Sequence, residues 1–229
     1  MVELGISTFG ETTPLEGTGQ TYTHDERIRQ LVAEIELADK VGLDVYGIGE
    51  HHREDFAVSA PEIVLAAGAV KTEKIRLTSA VSVLSSLDPI RVYQQYATID
   101  ALSNGRAEVM AGRGSFIESF PLFGYDLKDY EELFDEKLDL LLYASAETRL
   151  NWKGKLTQTI DNREVYPRAV QETLPVWVAT GAMSSPPLRS PRRAYLLRMP
   201  LSVDSLSASS PCWMRIAGLG RKVATQMKS

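Results

Sequence analysis

The stretch Leu43-Asp44-Val45-Tyr46-Gly47-Ile48-Gly49-Glu50-His51-His52 combines a short apolar strand with three ionisable side chains at its end. Val45 and Ile48 are typical strand residues, and Gly47 and Gly49 allow another part of the molecule to pack closely. In parallel α/β folds the chemistry lies at the carboxyl ends of the strands. Glu50-His51-His52 is therefore a candidate site, provided that the surrounding chain forms such a fold.

The surrounding chain alternates between predicted strands and predicted helices. The predicted strands lie at about residues 2–8, 44–49, 75–83, 107–111 and 175–180, and helical periodicity fills the segments between them. Short connections of this kind predict parallel strands that lie side by side in chain order, joined by right-handed crossovers. The polar segment 151–168 interrupts the alternation and is interpreted as a hairpin or excursion.

The predicted helices carry recognisable start and stop signals. Thr23 with Glu26, and Ser59 with Glu62, have the spacing of capping boxes. Asp88-Pro89 fits an N-cap followed by proline in the first turn, and Asn104-Gly105 fits a helix end.

Composition favours a globular protein with one sizeable core. Of 229 residues, 44% are hydrophobic and 24% charged, and no apolar run approaches the ~20 residues that span a bilayer. A single cysteine, Cys212, excludes an internal disulfide framework and fits a reducing compartment. The first residues resemble a strand more than a signal peptide, so we expect a cytoplasmic location and no membrane partner.

The net charge of −5 is unevenly distributed along the chain. Residues 1–180 contain 17 basic and 29 acidic residues, whereas residues 181–229 contain 8 basic residues and the single acid Asp204. Because nucleic-acid binding requires clustered Lys and Arg, the main part of the chain is a poor candidate for it.

Three interpretations of Glu50-His51-His52 follow from residue chemistry. A metal site is disfavoured, since adjacent strand residues point to opposite faces and the only other histidine is His24. The histidines could instead form a hydrogen-bonded, half-buried pair at the start of a loop. The functional interpretation is that one histidine faces a cavity and exchanges a proton there.

Two further stretches are compatible with a ligand. Gly112-Arg113-Gly114-Ser115 follows a strand, where backbone N–H groups and an Arg can contact phosphate, although a tight turn with a solvated Arg fits equally well. The strand at 78–86 alternates small hydroxylated residues with aliphatic ones. Small side chains at its end leave room for a flat ligand, or simply for a bulky helix.

Taken together, five motifs resemble those of the bacterial luciferase-like, flavin-dependent monooxygenases and oxidoreductases. The resemblance covers about residues 1–180, and each motif lies on a βα unit in the order that the family shows. The motifs are Glu50-His51-His52, Thr78–Leu84 with Asp88-Pro89-Ile90-Arg91, Leu102–Arg106, Ala111–Ser115 and Pro175–Gly181.

The resemblance implies a flavin site at the carboxyl ends of the strands. It assigns proton transfer beside the flavin to His51, with Glu50 as a second catalytic residue. It matches Ala80-Val81 to a non-prolyl cis peptide bond under the flavin ring. The remaining implied cofactor-binding residues are Thr8, Arg113, Ser115, Thr180 and Gly181. The implied cofactor is FMN, with the deazaflavin F420 as the alternative.

Past Gly181 the resemblance ends and the sequence becomes rich in Ser, Pro and Arg. We interpret residues 182–229 as an out-of-frame or degraded end, the alternative being a natural basic, flexible tail. The expected organisation is a partial flavin-binding barrel domain at 1–181 and an atypical tail at 182–229. The tail is expected to be irregular or locally helical, without barrel strands six to eight.

The expected fold class is therefore α/β, of the (β/α)8 TIM-barrel type, incomplete, with about five parallel strands and an irregular C-terminal tail. An uncovered fifth strand would favour self-association, for example a homodimer, or weak FMN binding.

The function implied by the resemblance is that of an FMN-dependent monooxygenase or oxidoreductase in truncated form. Reduced FMN, supplied by a flavin reductase or by nicotinamide, would act with O2 on a small organic substrate. The alternatives are a non-catalytic flavin-binding protein or inactive remnant, and a metal-dependent hydrolase, which the ligand count disfavours.

Overall fold

The computed structural model describes residues 2–12, 17, 19, 21–114, 116–180, 197–200 and 212–217 of the chain. The strands are β1 (Val2–Thr8), β2 (Val45–Ile48), β3 (Arg76–Ser79), β4 (Ser82–Val83), β5 (Ala107–Gly112), β6 (Arg149–Trp152), β7 (Ile160–Glu164), β8 (Val176–Thr180), β9 (Leu197–Pro200) and β10 (Cys212–Ala217). The helices are α1 (His24–Lys40), α2 (Pro61–Ala69), α3 (Pro89–Ser103), α4 (Ser119–Phe123) and α5 (Tyr130–Ala146), with a 3-10 turn at Leu127–Asp129.

Five strands form the centre of the sheet in the order β1-β2-β3-β5-β8, and every neighbouring pair among them is parallel. Helices connect these strands, as in a (β/α) barrel. The prediction of five parallel strands side by side in chain order is confirmed. All five carboxyl ends consequently lie along one rim of the sheet.

The third predicted strand is divided into two short strands. β3 ends at Ser79, the peptide bond Ala80–Val81 is cis, and β4 resumes at Ser82. β3 pairs with β5 at Leu77 and Thr78, whereas β4 pairs with the last two residues of β5. The continuous strand predicted for 75–83 is thus wrong at its centre, because the chain leaves the ladder at Ala80 and Val81.

The helix signals agree with the structure in all but one case. The Thr23–Glu26 capping box is present, Asp88 caps α3 through the Arg91 N–H, and Asn104 ends α3 in the left-handed conformation. The second predicted capping box is wrong. Pro61 begins α2, so its N-cap is Ala60 and not Ser59, and Ala60 has no side chain that could cap.

The sheet separates two apolar clusters of different size. The larger cluster lies between sheet and helices and includes Tyr46, Ile48, Leu77, Tyr96 and Val109. Because strand side chains alternate, the neighbours of these residues point to the other face, where Val45, Met110 and Trp177 form the second cluster with Val81 and Ala179.

The polar segment predicted as a hairpin or excursion forms a separate two-stranded antiparallel sheet, β6–β7. Its turn is bound to α5 through Glu136, whose carboxylate accepts hydrogen bonds from the backbone N–H groups of Lys155, Leu156 and Thr157. The hairpin is therefore held against the outside of the helical layer.

Two short strands lie in the part of the chain expected to be irregular. β9 adds to β8 in parallel, with Trp177 opposite Leu197, and β10 adds to β1 antiparallel, with Ile6 opposite Trp213. The expectation that no sixth parallel strand forms is wrong, since β8 offers a free edge whose backbone groups β9 pairs. The rest of the predicted tail, residues 182–196, 201–211 and 218–229, lies outside the described residues.

Within the described ranges, the helices are too short or too polar to cross a lipid bilayer.

Candidate functional site at the carboxyl rim

The side chains that the sequence singled out follow the carboxyl ends of neighbouring strands. Glu50 and His51 come after β2, Ala80 and Val81 after β3, and Arg113 after β5. Contacts across the rim join them: the chain after β2 contacts both the segment at 80–83 and the loop after β5. These five residues are therefore brought to one end of the sheet.

His51 lies among three phenylalanine rings. It stacks on Phe56, with ring centroids 4.2 Å apart, and meets Phe9 and Phe116 edge-on at 4.8 Å and 4.7 Å. Burial among these rings lowers the pKa of His51 to about 4, because the charged imidazolium is poorly solvated there. At neutral pH His51 is therefore uncharged.

Glu50 is buried, with 4% of its surface exposed. One carboxylate oxygen, Oε2, accepts a hydrogen bond from the Val83 backbone N–H at 2.9 Å, and the other, Oε1, lies 2.8 Å from His52 Nε2. His52 in turn meets the edge of Phe123, a residue of α4, at 5.4 Å. Both carboxylate oxygens thus bind protein groups, and a catalytic part for Glu50 stays a prediction.

The chain at Ala80–Val81 is closely enclosed by two glycines. A Cβ atom added to Gly49 would lie 2.2 Å from the Phe9 ring and 2.8 Å from the Ala80 carbonyl oxygen. A Cβ atom added to Gly112 would lie 2.5 Å from Val81 Cγ2. Only glycine fits at either position without a shift of its neighbours. The cis peptide bond implied by the family resemblance is present at Ala80–Val81.

Arg113 extends from the end of β5 along α5. Its guanidinium lies 5.2 Å from the Phe134 ring centroid and 3.4 Å from the exposed carboxylate of Glu131. The Nε atom is buried, and within the described part of the chain it has no hydrogen-bond partner. A buried N–H without a partner is costly, so this donor fits an anionic or carbonyl group of a ligand.

The remaining implied cofactor-binding residues differ in how well they are described. Thr8 ends β1, where its Oγ1 accepts a hydrogen bond from the Gly10 N–H and donates one to Glu11. Thr180 ends β8, and only its backbone is described. Ser115 and Gly181 lie outside the described residues.

Among the residues that the structure describes, no group of three or more His, Cys, Asp and Glu side chains is arranged to hold a metal ion. His24, the third histidine, lies at the start of α1, where its Nε2 contacts the Glu54 carbonyl oxygen.

Motifs in the sequence did not indicate the aromatic side chains that surround His51. Phe9 directly follows β1, Phe56 lies in the loop after β2, and Phe116 lies in the loop after β5. All three occupy connections at the carboxyl ends of strands. That shared position was the signal that could have identified them, since functional residues of this fold concentrate in those loops.

Comparison with known proteins gives a consistent result. The model of the family described as luciferase-like monooxygenase matches residues 2–186. The 4-hydroxyprotoasukamycin monooxygenase of Streptomyces nodosus subsp. asukaensis is 31% identical over 189 residues, which are 81% of this chain and 44% of that protein. This chain spans about half the length of the curated relatives that it matches.

Two solved structures share the fold. The oxygenating constituent of 3,6-diketocamphane monooxygenase from Pseudomonas putida, in complex with FMN, superposes with a TM-score of 0.66 at 18% identity, covering 81% of this chain and 53% of that one. An F420-dependent secondary alcohol dehydrogenase superposes with a TM-score of 0.63 at 17% identity, covering 79% and 52%.

Proposed function

The chain belongs to the luciferase-like monooxygenase family, and we propose that it binds FMN at its carboxyl rim and oxygenates a small organic substrate there. The observation that carries this proposal is the buried Arg113 Nε, which has no hydrogen-bond partner among the described residues, on the same rim as His51. Arg113 suits an anionic ligand, and the family resemblance assigns proton transfer to His51.

The residues at the rim fit a flavin. Arg113 would hold the polar tail, with Ser115, Thr180 and Gly181 as further contacts by family resemblance. The enclosed segment Ala80–Val81 would lie against the flat ring, and Thr8 would border the same space. Bound in reduced form, the flavin would supply the electrons that activate O2.

This chain's own residues would then orient the substrate and move a proton. His51 is uncharged at physiological pH, and by family resemblance its imidazole would exchange a proton with a reacting group. Phe9, Phe56 and Phe116 shield the imidazole from water. Beside it, Phe116 and Ile117 present apolar surface to the solvent, with exposed fractions of 38% and 58%. An uncharged, largely apolar substrate suits such surroundings.

Partners and location complete the proposal. Reduced FMN would come from a flavin reductase or from nicotinamide, and two copies would associate as a homodimer. The single cysteine supports a cytoplasmic location. F420 is the alternative cofactor, because a structure of this fold acts with it.

Reduced-flavin oxidation under ¹⁸O2 tests the proposed reaction. The purified chain, loaded with reduced FMN, should consume O2 faster when an apolar organic substrate is added, and the product should contain ¹⁸O. His51→Gln should lower product formation about 100-fold, the usual scale for loss of an acid–base group. FMN binding without substrate-dependent oxidation would instead identify a non-catalytic flavin-binding protein.

A further inference from the structure

The Glu50 carboxylate joins three parts of the rim. Glu50 follows β2, its Oε2 accepts from the Val83 N–H in β4, and its Oε1 contacts His52. His52 contacts Phe123 of α4. A single buried side chain therefore connects the end of β2 with the segment after the cis peptide bond and with the loop after β5.

The chain around this carboxylate is part of the proposed flavin site. Val83 pairs with Gly112, and the Leu84 N–H donates to the Gly112 carbonyl oxygen at 3.0 Å. Gly112 packs against Val81 on one side and precedes Arg113 on the other. A shift of Val83 would consequently move both the surface under the flavin ring and the arginine that would hold its tail.

Burying a carboxylate is costly, and the molecule offsets the cost with charge-assisted hydrogen bonds. Both oxygens of Glu50 already have partners, and its side chain is 1% exposed. Such a group is poorly placed to touch a substrate.

Resting on the proposed function, we propose that Glu50 is a positioning residue, whose carboxylate holds Val83 and His52 in place and so shapes the flavin site. Its contribution to turnover then comes through flavin affinity and geometry. It neither donates a proton to nor accepts one from the reacting groups.

Substitutions of Glu50 separate this role from acid–base catalysis. In Glu50→Gln the amide oxygen can still accept from the Val83 N–H and the amide N–H can donate to His52. We expect FMN affinity within about threefold of wild type, and a pH profile of turnover with an unchanged shape. Glu50→Ala removes the acceptor, so FMN affinity should fall about tenfold or more. Glu54→Gln, an exposed change in the same loop, is the matched control and should change neither quantity.

Hydrogen exchange of the Val83 amide gives a readout that needs no flavin. In Glu50→Ala it should accelerate about tenfold or more, while Glu50→Gln and Glu54→Gln stay close to wild type. Unchanged Val83 exchange in Glu50→Ala would overturn the proposal even if the protein proves unable to bind FMN. So would a Glu50→Gln protein that exchanges slowly and binds FMN normally but has lost turnover, since that result identifies Glu50 as an acid or base.

Discussion

The chemistry of His51 depends on its neighbours more than on its own side chain. Three phenylalanine rings replace the water that would solvate an imidazolium, and the pKa of His51 falls to about 4. The family resemblance predicted a proton-transfer role for His51. It could not give the ionisation state, because Phe9, Phe56 and Phe116 come from three separate connections that only the folded sheet brings together.

His51 should also make stability depend on pH. Its folded pKa of about 4 lies below the unfolded value of ~6.5, so between these values the unfolded chain binds a proton that the folded chain does not. The contribution of His51 to the unfolding free energy is fully present above about pH 6.5 and is lost as the pH falls toward 4.

Urea unfolding at pH 6.5 and pH 4.5 measures this loss, with His51→Gln as the reference. Wild type should lose about 1 kcal/mol more unfolding free energy than the variant, since the partly solvated ring keeps only a fraction of the full linkage. Identical losses in both proteins would show that His51 titrates normally.

At the level of secondary-structure elements, a glycine at the end of β5 makes room for the chain segment between β3 and β4. Gly112 ends β5 and leaves no room for a Cβ atom beside Val81. The sequence correctly predicted β5 and an extended segment at 75–83. It did not reveal that this segment is divided into β3 and β4, because its β-branched and hydroxylated residues favour an extended strand throughout. The N-cap predicted at Ser59 was also wrong, because α2 begins at Pro61 and its N-cap is therefore Ala60.

Gly112→Ala should therefore destabilise the chain by about 1–3 kcal/mol, the usual cost of overpacking, and weaken FMN binding by moving Val81. Thermal unfolding and flavin titration measure the two effects. Adding Val81→Ala removes the nearest clashing methyl group and should restore part of the stability. If Gly112→Ala alone is as stable as wild type, Gly112 and Val81 are not in the close contact described.

At the level of the whole molecule, a network of ion pairs and one hydrogen bond on the sheet face away from the helices joins β1, β3, β5 and β8. Arg76 of β3 contacts Glu3 of β1 at 2.7 Å and Glu108 of β5 at 3.3 Å. Glu108 also accepts from the Trp177 indole N–H of β8 at 2.8 Å. The helical layer was predictable from apolar periodicity. This network was not, because its members are far apart in sequence and only the folded sheet brings them together.

Removing Arg76 alone should lower the unfolding free energy more than removing the charges of Arg76 and Glu108 together. Arg76→Met leaves Glu108 buried without its cation and should cost about 3 kcal/mol of unfolding free energy. Arg76→Met combined with Glu108→Gln should cost less than Arg76→Met alone, because the double variant no longer buries a carboxylate that has lost its cation. Chemical denaturation of the two variants decides this, and a double variant less stable than Arg76→Met would contradict it.

Titration of the purified chain with FMN, followed by flavin fluorescence, tests the proposed flavin site most directly. The account predicts saturable binding at one flavin per chain. Arg113→Met should weaken binding about tenfold or more, since its guanidinium would no longer contact the flavin's polar tail. Arg91→Met, an exposed arginine on α3, should bind FMN like wild type. Absence of saturable binding, or equal affinity in Arg113→Met and wild type, would contradict a flavin site at this rim.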